Sequence, residues 1–242
     1  MAALISSNET LLKYIPNTLK AVAGETSLYD KIQYHLQQSE SWLTATFLST
    51  DTLSRIKTYS DTTPLLHHCR MALAADAMLH AVPQLDLILT PNGFGIVSTS
   101  NIAPTSKERI ERLLASLEKL RDEVLAIILT MLPEAHHWTA SQQYDYFAAT
   151  MFPTLDIVTS LGYSDHIWQR YQDLHTQLLT IEQRLESDFF SHELMTVLRT
   201  ANILSGWDNT LDSTSASTNA SPPSSSPSSA SVSTLCPASQ TQ

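Results

Sequence analysis

Apolar residues recur every three or four positions along most of the chain. Leu28, Ile32, Leu36, Ser39, Leu43 and Phe47 form one such series, with Gln33, Gln37, Gln38 and Glu40 mostly off it. That period turns one face of a helix toward a core, and here it predicts a helix of about 22 residues ending near Thr50. Residues 7–23 suggest one or two short helical turns, broken by Pro16 and ended near Gly24. Thr52 to Thr63 is a polar connection with room for a short turn of helix. Pro64 suits a first helical position, where its missing N–H costs nothing. From Leu65 to Val82 the chain is rich in Ala, Leu and Met and apolar around most of a helix's circumference, the pattern of a helix buried on more than one side.

The same reading applies to the second half. Leu113, Leu117, Leu120, Val124, Ile127 and Met131 form a stripe on a helix from Ile110 to Leu132, with Lys107, Glu111, Arg112, Glu118, Lys119, Arg121 and Glu123 on the remainder. Pro133 ends it. Thr139 with Gln142 has capping-box spacing and opens a helix through Tyr144, Phe147 and Ala148 to Met151, before Pro153. Leu161-Gly162-Tyr163 is a turn, and Ser164 followed by Asp165 reads as an N-cap with an acid in the first turn. Ile167, Tyr171, Leu174, Leu178, Ile181 and Leu185 then share a stripe to about Glu186. A last helix, Ser191 to Ile203, points Leu194, Val197, Leu198 and Ala201 inward. Trp42 and Trp168 sit at core spacings, while Trp138 and Trp207 flank helices and suit a core or an interface equally.

The helical pattern breaks once, between Pro83 and Leu113. Leu85, Leu87 and Leu89 alternate with Asp86 and Ile88, and Phe94, Ile96 and Ser98 resume beyond Pro91-Asn92-Gly93. Pro presets a turn's backbone, and Asn and Gly tolerate left-handed angles, so Thr90 to Gly93 is a turn and the segment a β-hairpin. Thr105 and Glu108 form a capping box into the next helix. A lone two-stranded hairpin is marginal in water. This one is largely apolar with few charges on its edges, so it packs on its own helices or pairs with a neighbouring subunit.

Composition adds limits. The last 36 residues, from Trp207, hold 12 Ser and no Lys or Arg. So little apolar material does not offset the entropy of ordering, which predicts a disordered tail. The formal net charge is −10, which disfavours general nucleic-acid binding, a process that needs clustered Lys and Arg. It does not forbid lining a channel through which DNA slides. Cys69 and Cys236 make neither a disulfide framework nor a metal quartet. No basic, apolar leader opens the chain, and no run approaches about 18 apolar residues, so no membrane span is expected.

Candidate chemistry is thin. His67 and His68 are adjacent, so on a helix they diverge by about 100° and do not face one metal. His68 with Arg70 and Asp76 lacks the H-E-x-x-H spacing, and Gly93-Phe94-Gly95 lacks the third glycine of a dinucleotide fingerprint. His136 and His137 fall in a connection after Pro133. No nucleophile elbow or phosphate loop exists. The expectation is no enzyme, no metal and no cofactor.

The run LDLILTPNGFGIVSTSNIAPTSKERIERL, Leu85 to Leu113, resembles a family of uncharacterised structural proteins encoded by tailed bacteriophages and prophages of gut anaerobes. Those proteins are similar to helical head-completion, or head–tail connector, proteins. The likeness extends from the N-terminus to about Ser205. It implies a virion protein, in the host cytoplasm during assembly, that forms a ring with copies of itself and contacts other virion proteins such as the portal. Subunit contacts would then come from Leu87, Leu89, Asn92, Gly93, Phe94, Ile96 and Val97. The compact connectors are shorter, so the helices after Pro133 would be an elaboration. The fold class expected is mainly α: a helical bundle over residues 1–206 with one β-hairpin insertion at about 85–99, and a disordered tail over 207–242. A monomeric helical adaptor or regulator, binding a single protein, is the alternative.

Overall fold

The core is built around α4 (Pro64–Ala81), whose Leu65, Leu66, Cys69, Ala72, Leu73, Ala74 and Ala77 are all buried. Apolar residues on all sides suit a helix enclosed by others, and its alanines let neighbours come close. It packs against α2 (Leu28–Leu43) on one side and α5 (Lys107–Met131) on the other. Burial pushes the Cys69 thiol up to about 12, so it acts as a small apolar side chain. The computed structural model describes residues 3–15, 26–85, 87–90, 93–96, 107–135 and 137–208, with the backbone alone at 87–90, 93–96 and 202–208. All lie in the first of two compact units, Met1–Thr210 and Leu211–Gln242. The expectations for Pro16, Gly24, Pro91, Asn92, Val97, the Thr105 cap, His136 and the chain from Asn209 onward fall outside the described residues.

The described residues are mainly helical. A short α1 (Asn8–Leu12) is capped by Ser7. The α2 stripe lies as its spacing predicts, with Ile32, Leu36, Ser39, Leu43 and Phe47 buried. The helix is not continuous to Thr50, however. Thr44–Leu48 forms a π-helical turn, closed by the Ser49 N–H donating to Thr44 O at 2.9 Å. The extra residue in that turn brings both Phe47 and Leu48 to full burial. Phe47 meets Trp168 at 4.7 Å and Phe147 at 5.5 Å between ring centroids. The connection after it is more helical than its polarity suggests: α3 (Thr50–Ile56) buries Thr52, Leu53 and Ile56.

β1 (Leu87–Thr90) and β2 (Gly93–Ile96) pair antiparallel, with Leu87 opposite Ile96, Leu89 opposite Phe94 and Thr90 opposite Gly93. α5 follows, but its buried face is turned from the predicted stripe. Leu117, Val124, Leu125, Ile128 and Leu129 are buried, whereas Ile127 is exposed. Arg121 and Asp122 are both drawn inward with this face, Arg121 by Asp76 on α4 and Asp122 by the Trp168 N–H.

Beyond α5, two helix starts differ from expectation. Burial of Trp138 folds Trp138–Ala140 into a 3-10 turn, so the cap of α6 (Gln142–Ala148) is Ser141, whose hydroxyl accepts from the Tyr144 N–H at 3.2 Å. Trp138 is fully buried and belongs to the core. α7 (Asp156–Ser160) ends at Gly162, whose φ of +88° closes a Schellman turn through Gly162 N to Thr159 O and Tyr163 N to Val158 O. α8 (Ile167–Asp188) is preceded by His166 in the left-handed region, not by a Ser164 cap. Trp168, Tyr171, His175 and Glu182 are its buried side chains besides Ile167, and Ile181 is exposed.

α9 (His192–Asp208) faces the opposite way from its predicted stripe. Leu194, Val197, Leu198 and Ala201 are exposed, and Met195 is buried. Arg199 fixes this rotation by pairing with Glu182 at 2.9 Å and Glu186 at 3.2 Å on α8. The helix runs to Asp208, two residues into the segment whose composition reads as tail. None of the described helices is long and apolar enough to cross a membrane.

Candidate functional site

Three clefts open around the π-helical turn and the residue that follows it. The largest, about 690 Å³, lies beside α2, with Ile5, Leu36, Leu53 and Leu73 as an apolar floor. Gln33, Gln37, Ser41, Thr44 and Gln143 add neutral polar groups to its walls. A second, of about 330 Å³, touches Ala45, Thr46, Tyr146 and Trp168. A third, of about 490 Å³, touches Ser49, Thr50, Asp51 and His137.

Widening a helix to π geometry leaves carbonyls that the regular ladder does not take up, and such turns recur at functional sites. Here the α6 segment supplies the partners. Gln143 Nε2 donates to Ala45 O at 2.9 Å, and Trp138 Nε1 donates to Phe47 O. Ser49 closes the turn at φ +62° and ψ 160°, a region that a residue with a Cβ rarely adopts. Its hydroxyl offsets part of that cost by accepting from the Thr52 N–H at 3.3 Å, which caps α3.

One ion pair stands in the largest cleft. Lys57 Nζ donates to Glu40 Oε1 at 2.6 Å, and the Leu4 N–H donates to Glu40 Oε2 at 2.8 Å. Arg70 Nε donates to Leu4 O at 2.9 Å, so both backbone groups of one residue in the N-terminal segment are held, one by an acid and one by a base. Both Glu40 oxygens are therefore engaged in holding the fold. The chemistry left to the cleft is that of carboxamides, hydroxyls and apolar surface, which binds ligands through hydrogen bonds and contact area.

A second polar cluster ties α2, α4, α5 and α8 together. Arg121 donates to Asp122 Oδ1 through Nε and Nη2, at 3.0 and 2.8 Å, and to Asp76 Oδ1 at 3.3 Å. Ser39 donates to Asp76 Oδ2 at 2.7 Å, and the Arg121 guanidinium lies 5.8 Å from the Trp42 ring. Asp122 Oδ2 accepts from the Trp168 N–H at 3.2 Å and so caps α8 from another helix. His166 Nδ1 sits 2.8 Å from Glu118 Oε1, and His80 lies 3.7 Å from Asp76. On α8, His175 stacks on Tyr146 at 4.2 Å, and its Nε2–H donates to Tyr146 O at 2.8 Å. Burial lowers its pKa below the ordinary 6.5, against the opposing pull of that hydrogen bond and of Glu182.

Of the residues singled out from sequence, Leu87, Leu89, Gly93, Phe94 and Ile96 lie in the two paired strands, and Asn92 and Val97 lie outside the described residues. His68 Nδ1 is 2.7 Å from Pro64 O and His67 packs on Tyr14 at 5.2 Å, while the two imidazoles, expected to diverge, meet edge to face at 5.5 Å. Among the described residues, no group of three His, Cys, Asp or Glu is placed to hold a metal ion. Sequence reasoning missed Ser49, the Glu40–Lys57 pair and the Arg121 cluster. Only the Ser49-to-Thr52 spacing, typical of a cap, was a local signal for any of them.

No curated protein and no solved structure matches the chain. A family model does match, over residues 15–148, more than half of the sequence. That span includes α2, the π-helical turn, α4, both strands, α5 and α6, and it stops before α8 and α9. The chain belongs to DUF6712, a family of unknown function.

Proposed function

We propose that this chain is a structural protein of a tailed phage or prophage virion, a head–tail connector (head-completion) component whose copies assemble into a ring. The observation that carries the reading is the two-stranded ribbon of β1 and β2. Among the described residues it has no third strand. Two strands alone are marginal, and each leaves an outer row of N–H and C=O groups open to pairing. Neither strand contains a charged residue. Leu87, Leu89, Asn92, Gly93, Phe94, Ile96 and Val97 are the proposed subunit contacts, and the portal is the proposed virion partner. A net charge of −10 lets DNA pass without specific binding. Assembly would take place in the host cytoplasm, and no step in it needs a cofactor or turnover.

A second reading, a monomeric adaptor for a single protein, draws on the exposed apolar residues Leu194, Val197 and Leu198 of α9. Co-purification from infected or induced cells separates the two. The connector reading expects portal and capsid proteins to accompany the chain, and expects Ile96→Asp to release them. Recovery with one non-virion partner, unaffected by Ile96→Asp, favours the adaptor.

A further inference from the structure

We infer that the large cleft beside α2 is the receptor for an extended strand edge, and that its occupant is the ribbon of a second copy of this chain. The inference rests on the assembly reading above and identifies the surface to which the ribbon attaches.

Gln33 and Gln37 lie on the cleft one helical turn apart, both residues are exposed, and neither side chain makes a hydrogen bond among the described residues. Four residues of helix rise about 6 Å. Alternate residues of a β-strand, which present their N–H and C=O groups on the same edge, repeat at about 6.6–6.8 Å. A carboxamide carries both a donor and an acceptor, so each one can take up the two backbone groups of one strand residue. The pair therefore matches two successive open positions along a strand edge.

The floor and the charges fit the same occupant. Ile5, Leu36, Leu53 and Leu73 offer an apolar surface below the carboxamides. The segment Leu87–Thr90 is the described strand richest in aliphatic residues. The cleft's one ion pair, Glu40 with Lys57, is internally balanced, and neither strand carries a charge. Contact between two copies at this place therefore escapes the repulsion that a net charge of −10 imposes elsewhere. Ribbon and cleft are different surfaces, so each copy gives one and receives the other. Head-to-tail contacts of that kind close into rings when the rotation permits.

The test is photo-crosslinking in the full chain. A benzophenone amino acid replaces Ser41, an exposed residue of the cleft wall that leaves both carboxamides in place, with Glu193 on α9 as the control position, and crosslinked peptides are mapped by mass spectrometry. The expected result is a covalent dimer joining position 41 to residues 85–98 of the other copy, absent from the control. Crosslinks to another segment, crosslinks only within one chain, or none at all overturn the inference. Gln33→Ala with Gln37→Ala should in addition weaken self-association about tenfold while leaving the fold intact, since both residues are exposed. If Ile96→Asp abolishes association and the glutamine variants do not, the cleft is not the receptor and the assembly reading stands. If the chain associates with nothing, both fail.

Discussion

The Asp122 carboxylate on α5 caps α8 by accepting from the backbone N–H of Trp168, 46 residues later in the chain, at 3.2 Å. Its other oxygen takes two hydrogen bonds from Arg121, which also reaches Asp76 on α4. Asp122 and Arg121 together thus join three helices. Asp122→Ala leaves Arg121 short of a partner and α8 uncapped, and breaking a buried pair of this kind costs about 3–5 kcal/mol. Asp122→Asn keeps an acceptor for the cap and loses the charge, so a smaller loss is expected. Urea denaturation of both variants checks the order. Equal stability of Asp122→Ala and the parent would refute the brace.

Ser49 makes a prediction of opposite signs at one position. Ser49→Gly removes the strain of φ +62°, ψ 160°, which costs about 1–3 kcal/mol for a residue with a Cβ. A glycine at a helix N-cap costs only a few tenths of a kcal/mol relative to serine. The variant should therefore be more stable than the parent by about 1 kcal/mol. Ser49→Ala keeps the strain and loses the bond to the Thr52 N–H, so it should be less stable by a similar amount. Thermal melts of the pair decide it, and a destabilised Ser49→Gly would show that the turn is not strained.

His175 sets a pH dependence. Its folded pKa lies below the unfolded value of 6.5, chiefly because it is buried, so the unfolded chain binds the extra proton first. Stability from this group is full above about 6.5 and is lost as pH falls from there toward the folded pKa. Melting temperatures between pH 5 and 8 (roughly the window where an unperturbed histidine titrates) should decline on the acid side. His175→Phe should flatten that decline, whatever it does to stability at neutral pH. An unchanged slope would mean that other groups carry it.

α9 offers a test of side-chain placement. Met195 is buried, so Met195→Ala should cost about 2–5 kcal/mol. Val197 is 63% exposed, so Val197→Lys should change stability by less than about 0.5 kcal/mol. Chemical denaturation would contradict the placement if the costs came out reversed.

How far the fold could be read from sequence follows from the range of each interaction. The α2 stripe was legible because a 3.6-residue period is local, and Ile32, Leu36, Leu43 and Phe47 all point inward. The π-helical turn was not, since the partners of its carbonyls, Trp138 and Gln143, come from 91 and 98 residues away. Arg121 reads as a solvent charge by type, yet it is drawn in by Asp76 across 45 residues, and that pull rotates α5 until Ile127 is exposed. The α9 face was misassigned for the same kind of reason. Its apolar residues are more numerous on the outside, but the Arg199 pairs with Glu182 and Glu186 fix the other face against α8. The candidate site is built from such long-range pairs. The strand alternation from Leu87 to Ile96, by contrast, is a local signal.

The central claim is that the β1–β2 ribbon holds one copy of the protein to another. Native mass measurement of the full chain over a range of concentrations, with and without portal protein, tests it most directly, with Ile96→Asp beside the parent. The account predicts a closed assembly of defined mass for the parent, and its loss in Ile96→Asp with helix content by circular dichroism unchanged. A parent that stays monomeric in both conditions, or an Ile96→Asp chain that unfolds because the ribbon packs on its own helices, would contradict it.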